Sequence, residues 1–93
     1  MEGIVLSIVT PKGAKGPYQC DSVHLSVADD DKGKGGGNYG IRKGHASAML
    51  SLEDGTISGY VSQEIVIEGK SGRGFATVEK NQIVAIVESF EEN

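Results

Sequence analysis

The sequence is poor in the residues that mark disulfide-stabilised, aromatic-rich or membrane-spanning proteins. It has one Cys, no Trp, three Tyr and two Phe among 93 residues. A single Cys forms no internal disulfide, which favours a reducing compartment. No apolar run approaches the ~20 residues that a membrane-spanning helix needs, and no signal-peptide pattern opens the chain. We therefore expect any membrane role to be peripheral and reached through a partner protein.

Positive charge and catalytic residue types are also scarce. Nine Lys and Arg stand against 13 Asp and Glu, giving a net charge of −4. Nucleic-acid binding needs a basic footprint, so this balance argues against it. His24 and His45 are the only histidines, and no Ser/His/Asp set, Cys/His set or ligand cluster surrounds them. The sequence predicts no catalytic residue, no metal site and no cofactor, with Cys20 as a half-buried strand residue.

Glycine is abundant, and the 14 glycines concentrate around a charged segment, ADDDKGKGGG at residues 28–37. Gly35, Gly37 and Gly40 spell GxGxxG, but a dinucleotide-binding fingerprint also needs a strand before it and a helix after it. The consecutive aspartates at 29–31 lack the alternating ligand positions of an EF-hand. We interpret this segment as a solvent-exposed loop.

Short alternating apolar patterns separated by turn signals predict an all-β protein. The clearest strands are residues 3–9 and 18–27. Residues 10–17 are predicted to be a turn-rich connection, 53–55 a hairpin turn and 89–93 a fraying tail with Phe90 packed back. Residues 45–52 fit either a helical turn or, better, a strand. The remaining predicted strands are 38–41, 56–61, 64–68 and 75–79, with 82–89 closing a hairpin around residues 80–81.

The fold class that follows is one domain over residues 1–93, a flattened antiparallel β-sandwich of about eight to ten short strands. In the first strand, Ile4, Leu6 and Ile8 are predicted to share one face and Val5 and Val9 the other. In the second, Val23, Leu25 and Val27 are predicted to face one way and Ser22, His24 and Ser26 the other, as in a half-buried strand.

One basic cluster stands out in the acidic chain, formed by Lys32, Lys34, Arg42 and Lys43. Two interpretations remain open. The cluster serves solubility, or it is a docking surface whose charge sets the register and the association rate with a partner.

Four segments, in order, resemble the N-terminal β-sandwich domain of the epsilon subunit of F-type ATP synthases. They are LSIVTP at 6–11, CDSVHLSV at 20–27, NYGIRKGHASAML at 38–50 and GFATVEKNQIVAIVES at 74–89. The third is similar to the GxxxGHAPLL stretch of that family, matching it at Gly40, Gly44, His45 and Ala46. Where the family commonly has Pro, this chain has Lys43 and Ser47.

The resemblance implies a non-catalytic rotor subunit of the central stalk, between the gamma subunit and the membrane c-ring. Such a subunit helps couple ion translocation to ATP synthesis. It lies peripherally on the cytoplasmic face of the cell (inner) membrane, reaches the membrane only through the complex, and binds no nucleic acid. The family's C-terminal helical pair is expected to be absent, and with it the inhibition of ATP hydrolysis. The residues implied to face the c-ring are Asn38, Tyr39, Ile41, Arg42, Lys43 and His45.

The resemblance also implies that one sheet face packs on gamma, without identifying which face. The alternative is a free-standing β-sandwich module that binds a protein, a peptide or a small ligand, with the glycine-rich loop as its mouth.

Overall fold

The computed structural model describes residues 3–27, 37–44 and 47–93, with the backbone alone at positions 37 and 38. These residues form ten β-strands and no helix. Nowhere in them is there a helix long and apolar enough to cross a membrane. The strands are β1 (Ile4–Thr10), β2 (Gly13–Cys20), β3 (Ser22–Val27), β4 (Gly37–Arg42), β5 (Ala48–Leu52), β6 (Gly55–Val61), β7 (Glu64–Ser71), β8 (Gly74–Glu79), β9 (Gln82–Val87) and β10 (Phe90–Glu92).

The strands form one curled sheet whose two halves enclose the core, which confirms the predicted all-β sandwich. The first half runs β10-β7-β6-β3 with β4 beside β3, and the second half runs β5-β8-β9-β1-β2. Strand β3 joins the halves, since its residues 22–24 pair with β6 while Val27 pairs with Leu52 of β5. Every strand pair is antiparallel except β1 with β9.

The core is aliphatic, as the composition predicts. The alternation in β1 and β3 is confirmed: Ile4, Leu6, Ile8, Val23 and Leu25 are at most 1% exposed, and Val27 packs partly buried against the core. Burying a side chain of this size contributes roughly 1.5–3 kcal/mol relative to leaving it in water. The other buried apolar residues are Cys20, Ile41, Leu52, Ile57, Ile67, Ala76, Val78, Ile83, Ala85 and Val87.

The prediction of a turn-rich connection at residues 10–17 is wrong, because most of that segment forms strand β2. This strand lies at the edge of the sheet and pairs only with β1, with a bulge between Leu6 and Ile8. An edge strand needs hydrogen bonds on one side only, so it accommodates the glycines, lysine and proline that suggested a loop. Asp21 then separates β2 from β3, so the predicted strand at 18–27 is two strands.

Residues 53–55 do not close a hairpin. Strand β5 pairs with β8 and β3, whereas β6 pairs with β3 and β7. The segment instead carries the chain from one half of the sheet to the other. It is held by Ser26, whose carbonyl accepts a hydrogen bond from the Glu53 amide at 3.1 Å and whose hydroxyl accepts one from the Thr56 amide at 2.9 Å.

The tail does not fray. Strand β10 pairs with Gly69–Ser71 of β7, which extends beyond its predicted end, and the Asn93 amide donates to the Glu68 carbonyl at 2.9 Å. Gly69 permits this pairing, because a Cβ there would lie 2.7 Å from Cζ of Phe90. The hairpin around Lys80 and Asn81 is confirmed, with φ values of 51° and 64° that suit a tight two-residue turn.

Candidate functional site

Strand β4 positions most of the residues predicted to face a partner. It pairs with β3 along its whole length, so its side chains alternate between the core and the outside. Ile41 is 1% exposed and belongs to the core, so its side chain offers no surface to a partner. Tyr39 packs partly buried against that core. Asn38 is described by its backbone alone, and His45 lies outside the described residues.

Arg42 and Lys43 are both exposed where β4 ends. Arg42 lies across from Ser22, which pairs on its other side with Tyr60. An open hollow of about 450 Å³ is lined by Arg42, Ser22 and Tyr60 together with Asp21, His24, Ser62 and Gln63. The Asp21 carboxylate accepts a hydrogen bond from the Ser62 amide at 3.0 Å, so it fastens the β6–β7 turn beside Arg42.

The connection after Lys43 is fastened to the opposite half of the sheet by Asn81. The Gly44 amide, at φ 87°, donates a hydrogen bond of 2.9 Å to the Asn81 side-chain oxygen. The Asn81 carbonyl in turn accepts one from the Val5 amide at 2.9 Å. The two exposed basic residues therefore stand on a braced end of the sandwich, and Lys80 lies at that same end. We call this the basic end after Arg42, Lys43 and Lys80, and Asp21, Glu64 and Glu79 lie at the same end.

The predicted basic cluster is described only in part, so its gathering at one place stays a prediction. Lys32 and Lys34 lie outside them. The chain leaves β3 at Val27 and enters β4 at Gly37, and these two residues pair at the end of the ladder opposite Ser22 and Arg42. Five residue steps along a strand separate the two ends by roughly 17 Å. Arg42 and Lys43 are thus the part of the cluster that the structure places.

The contacts of His24 and Cys20 are those of residues that support the fold. The His24 ring meets the Tyr60 ring edge-on, with centroids 5.4 Å apart, and lies over Gly40. Cys20 is 2% exposed, and burial first and Asp21 second raise the pKa of its thiol. A buried neutral thiol is a poor nucleophile. Among residues 3–27, 37–44 and 47–93, no group of three or more His, Cys, Asp or Glu could hold a metal ion.

The outer faces of the two half-sheets differ in a way that the sequence analysis missed. On the first half, the outward residues are mostly polar, with exposed Ile65 opposite Tyr60 as an apolar member. The polar ones are Ser22, His24, Ser26, Arg42, Thr56, Tyr60, Glu68 and Lys70. On the second half, two rows across β5, β8, β9 and β1 carry no charge. We call these rows the neutral face: Ser7, Val9, Met49, Ser51, Phe75, Thr77, Val84 and Ile86. One signal of this face was present in the sequence, since β1 and β9 are apolar at both alternating sets of positions, and so at outward as well as core-facing ones.

A cleft of about 950 Å³ separates the edge strand β2 from β7 and β10. Its lining mixes three lysines, Lys12, Lys15 and Lys70, with acidic residues, and Lys15 approaches Glu92 across it at 3.9 Å. Charges of both signs on exposed side chains do not define a ligand class.

No protein-family model and no curated protein matches this chain. Solved structures do match. A chain in the cryo-EM structure of the Euglena gracilis mitochondrial ATP synthase, covering OSCP, F1 and c-ring, aligns with 99% of this chain at a TM-score of 0.78 and 13% identity. A chain in the central stalk/c-ring structure of the Tetrahymena thermophila mitochondrial ATP synthase aligns with 95% at a TM-score of 0.70 and 11% identity.

The fold is shared with chains of mitochondrial ATP synthases. At these identities the likeness shows the fold alone. This chain spans 54% of the Euglena chain and 65% of the Tetrahymena chain.

Proposed function

We propose that this chain is a non-catalytic rotor subunit of an F-type ATP synthase, equivalent to the N-terminal domain of epsilon. It links the gamma subunit to the c-ring at the cytoplasmic face of the membrane and helps couple ion translocation to ATP synthesis. The observation that carries the proposal is the fold shared, over nearly the whole chain, with chains from ATP synthase assemblies. The four sequence segments that resemble epsilon, in the same order, support it independently.

The architecture suits such a role mechanically. Two half-sheets packed on an aliphatic core form a stiff block, because close-packed interiors deform little under load. A linker in a rotor needs stiffness and two partner surfaces rather than a reaction centre. The basic end and the neutral face supply two chemically distinct surfaces.

We assign the c-ring contact to the basic end. Arg42 and Lys43 are exposed and carry charge that would set the register with polar loops at the membrane surface. The hydrogen bond from Gly44 to Asn81 fixes their position relative to the rest of the domain. The resemblance also implies Asn38, Tyr39 and His45; of these, Tyr39 packs partly buried against the core and Asn38 lies four residue steps along β4 from Arg42.

A charge-reversal pair tests this contact in the assembled enzyme. Arg42→Glu combined with Lys43→Glu should reduce ATP-driven ion pumping relative to ATP hydrolysis, with an unchanged melting temperature because both side chains are exposed. The matched control is Lys12→Glu with Arg73→Glu, two exposed cations at the opposite end of the sandwich. Equal coupling ratios in the wild type and both double variants would contradict the assignment.

The proposed function as a whole is tested by co-purification with the gamma subunit encoded with this chain, scored by size-exclusion chromatography with light scattering. A one-to-one complex is the expected result. Two folded partners that elute separately would refute the rotor role and leave a free-standing sandwich module as the better account.

A further inference from the structure

A row of four residues crosses the outer face of the first half-sheet, from one strand to the next. It runs Arg42, Ser22, Tyr60 and Ile65 across β4, β3, β6 and β7, since each is paired with the next. Three strand spacings of ~4.8 Å put its two ends about 14 Å apart. We call these four residues the outer row. A cation stands at one end, an exposed isoleucine at the other, and two hydroxyl groups lie between them.

The cation end of the outer row is built around Arg42. Its side chain lines the open hollow of about 450 Å³ together with Ser22 and Tyr60. The carboxylate in the lining of that hollow, on Asp21, accepts a hydrogen bond from the Ser62 amide at 3.0 Å. In the part of the chain that the structure describes, no carboxylate forms an ion pair with the Arg42 guanidinium. A guanidinium offers a planar fork of donors that matches one carboxylate, so this end of the row is complementary to a carboxylate from another molecule.

The middle of the outer row is held in place by ring packing. The His24 ring meets the Tyr60 ring edge-on, with centroids 5.4 Å apart and an angle of 87° between the ring planes, a favourable aromatic geometry. Gly40 leaves room for the imidazole, because a Cβ there would lie 3.3 Å from its Cε1. The hydroxyl groups of Ser22 and Tyr60 can each donate and accept a hydrogen bond, so they suit the amide groups of a peptide backbone.

The apolar end of the outer row is open to solvent. Ile65 is 55% exposed and the next residue, Val66, is 39% exposed. The register shift between Gly59 and Tyr60 leaves Val66 as the extra residue of a bulge, so two apolar side chains stand side by side next to Tyr60. Apolar surface of this size is common on proteins and does not define a ligand by itself. It gains meaning here because it lies in register with Arg42.

We infer that the outer row binds an extended peptide segment of a partner protein that carries one carboxylate and an apolar side chain two residues away. Side chains two residues apart lie on the same side of an extended peptide, about 7 Å from each other. The long side chains of arginine and glutamate cover the remaining distance along the row. The carboxylate would meet Arg42, and the apolar side chain would pack on Ile65 and Val66. Asp21 and Glu64 lie beside the row and disfavour a ligand with several negative charges.

This peptide site goes beyond the proposed function and does not depend on it. Peptide binding is measured on the chain alone, so its failure would leave the rotor role untouched, and a failure to bind gamma would leave the peptide site untouched. The two are linked through one side chain. Because Arg42 also belongs to the basic end, a peptide on the outer row and the c-ring would compete for it.

The test titrates the isotope-labelled protein with a capped peptide, leucine–serine–glutamate–serine–leucine, and follows amide NMR shifts at constant ionic strength. The peptide has the same sequence from either end, so it presents an apolar side chain two residues from the carboxylate in both binding directions. We expect saturable shifts at Ser22, Tyr60 and Ile65. Replacing the central glutamate of the peptide with glutamine removes the charge but keeps the shape, and should weaken binding by about 5-fold or more.

Matched protein variants then locate the charge that the peptide meets. In Arg42→Gln the glutamate and glutamine peptides should bind within about 2-fold of each other. Lys43→Gln loses the same charge from an exposed neighbour that does not line the hollow, so it should keep the preference for glutamate. Ile65→Ser should remove the preference for leucine over alanine at the flanking positions of the peptide. An equal loss of preference in Arg42→Gln and Lys43→Gln would show diffuse attraction and overturn the inference.

A second measurement uses the wild-type protein alone, so it does not depend on any variant folding. Nuclear Overhauser contacts are expected between the leucine methyl groups of the bound peptide and the Ile65 side chain. Saturable binding without these contacts would place the peptide elsewhere and overturn the inference. A dissociation constant weaker than about 5 mM for the glutamate peptide would overturn it as well.

Discussion

Replacing Gly59 with Ala should destabilise the protein only while Cys20 keeps its sulfur. Gly59 lies in β6 facing the core, and a Cβ there would stand 2.6 Å from Cys20 Sγ and 3.3 Å from Cγ2 of Ile67. Its φ is not in the left-handed region, so the backbone itself accepts an L-residue. The expected cost therefore comes from overpacking between two buried groups.

The magnitude follows from two opposing effects. Overpacking a well-filled core costs roughly 1–3 kcal/mol. Replacing a strand glycine with alanine returns roughly 0.5–1 kcal/mol of backbone entropy. We expect a net loss of about 1 kcal/mol, which lowers the melting temperature by about 4–8 °C in a domain of this size. In a Cys20→Ala background the close contact is gone, so the same Gly59→Ala change should be neutral or slightly stabilising.

The assay is urea unfolding followed by far-UV circular dichroism, because the chain has no Trp to report by fluorescence. The four proteins of the cycle should give a coupling free energy of about 1–3 kcal/mol between the two positions. Gly59→Ala with Met49→Ala is the control, since Met49 lies on the outer face of the other half-sheet, and those two effects should add. Additivity within about 0.5 kcal/mol for Gly59 and Cys20 would refute the packing argument.

Three further predictions concern single groups. Leu25→Ala should cost roughly 2–5 kcal/mol by urea unfolding, because the side chain is fully buried, whereas Met49→Ala should cost under about 0.5 kcal/mol; equal costs would contradict the assigned strand faces. Burial raises the pKa of the Cys20 thiol in the folded protein. The neutral thiol's contribution to the free energy of unfolding is therefore fully present below the unfolded-state pKa. Stability should fall as pH rises above about 8.5 toward the folded-state pKa, and Cys20→Ala should lack that loss in unfolding measured from pH 7 to 9.5. Asn81→Gly keeps the left-handed turn but removes the acceptor for the Gly44 amide, so that amide should exchange faster by NMR at a cost of about 0.5–1.5 kcal/mol; an unchanged exchange rate would show the bond to be unimportant.

Local patterning predicts this fold well wherever one strand face is buried. In β3 the residues that face the core follow directly from period-two alternation, whereas β1 is apolar at both alternating sets of positions and alternation alone does not choose between them. The Lys80–Asn81 hairpin also follows from sequence, because both its strands and its turn are contiguous in the chain. These elements depend on interactions between near neighbours.

The misassigned segments depend instead on distant partners. Residues 13–20 contain Gly, Lys and Pro and become a strand only because β1 offers an edge. Residues 53–55 carry a strong turn signal, yet which strands they connect is decided by the pairing of Val27 with Leu52. Strand β10 forms because Gly69 leaves room for Phe90. No local pattern contains that information.

Part of the candidate site can likewise be predicted from local sequence, and part of it cannot. That Arg42 and Lys43 are exposed follows from their charge, while the burial of Ile41 follows from alternation along β4. The neutral face could not be predicted, because its rows combine the β8–β9 hairpin with β5 and with β1, which is far from it in sequence. Their side-by-side order is a property of the topology, not of any one segment.

The parallel pairing of β1 with β9 gives the domain a particular response to tension. Its five paired positions run from Val5 with Gln82 to Val9 with Ile86. Because the two strands point the same way, a pull on the start of β1 and on the end of β9 slides them past each other lengthwise. All the rungs of that ladder are then strained together, whereas the rungs of an antiparallel hairpin pulled at its open end break one after another. Strand β1 is thus held by hydrogen bonds to β9 that are loaded in shear, so these few bonds share the applied force.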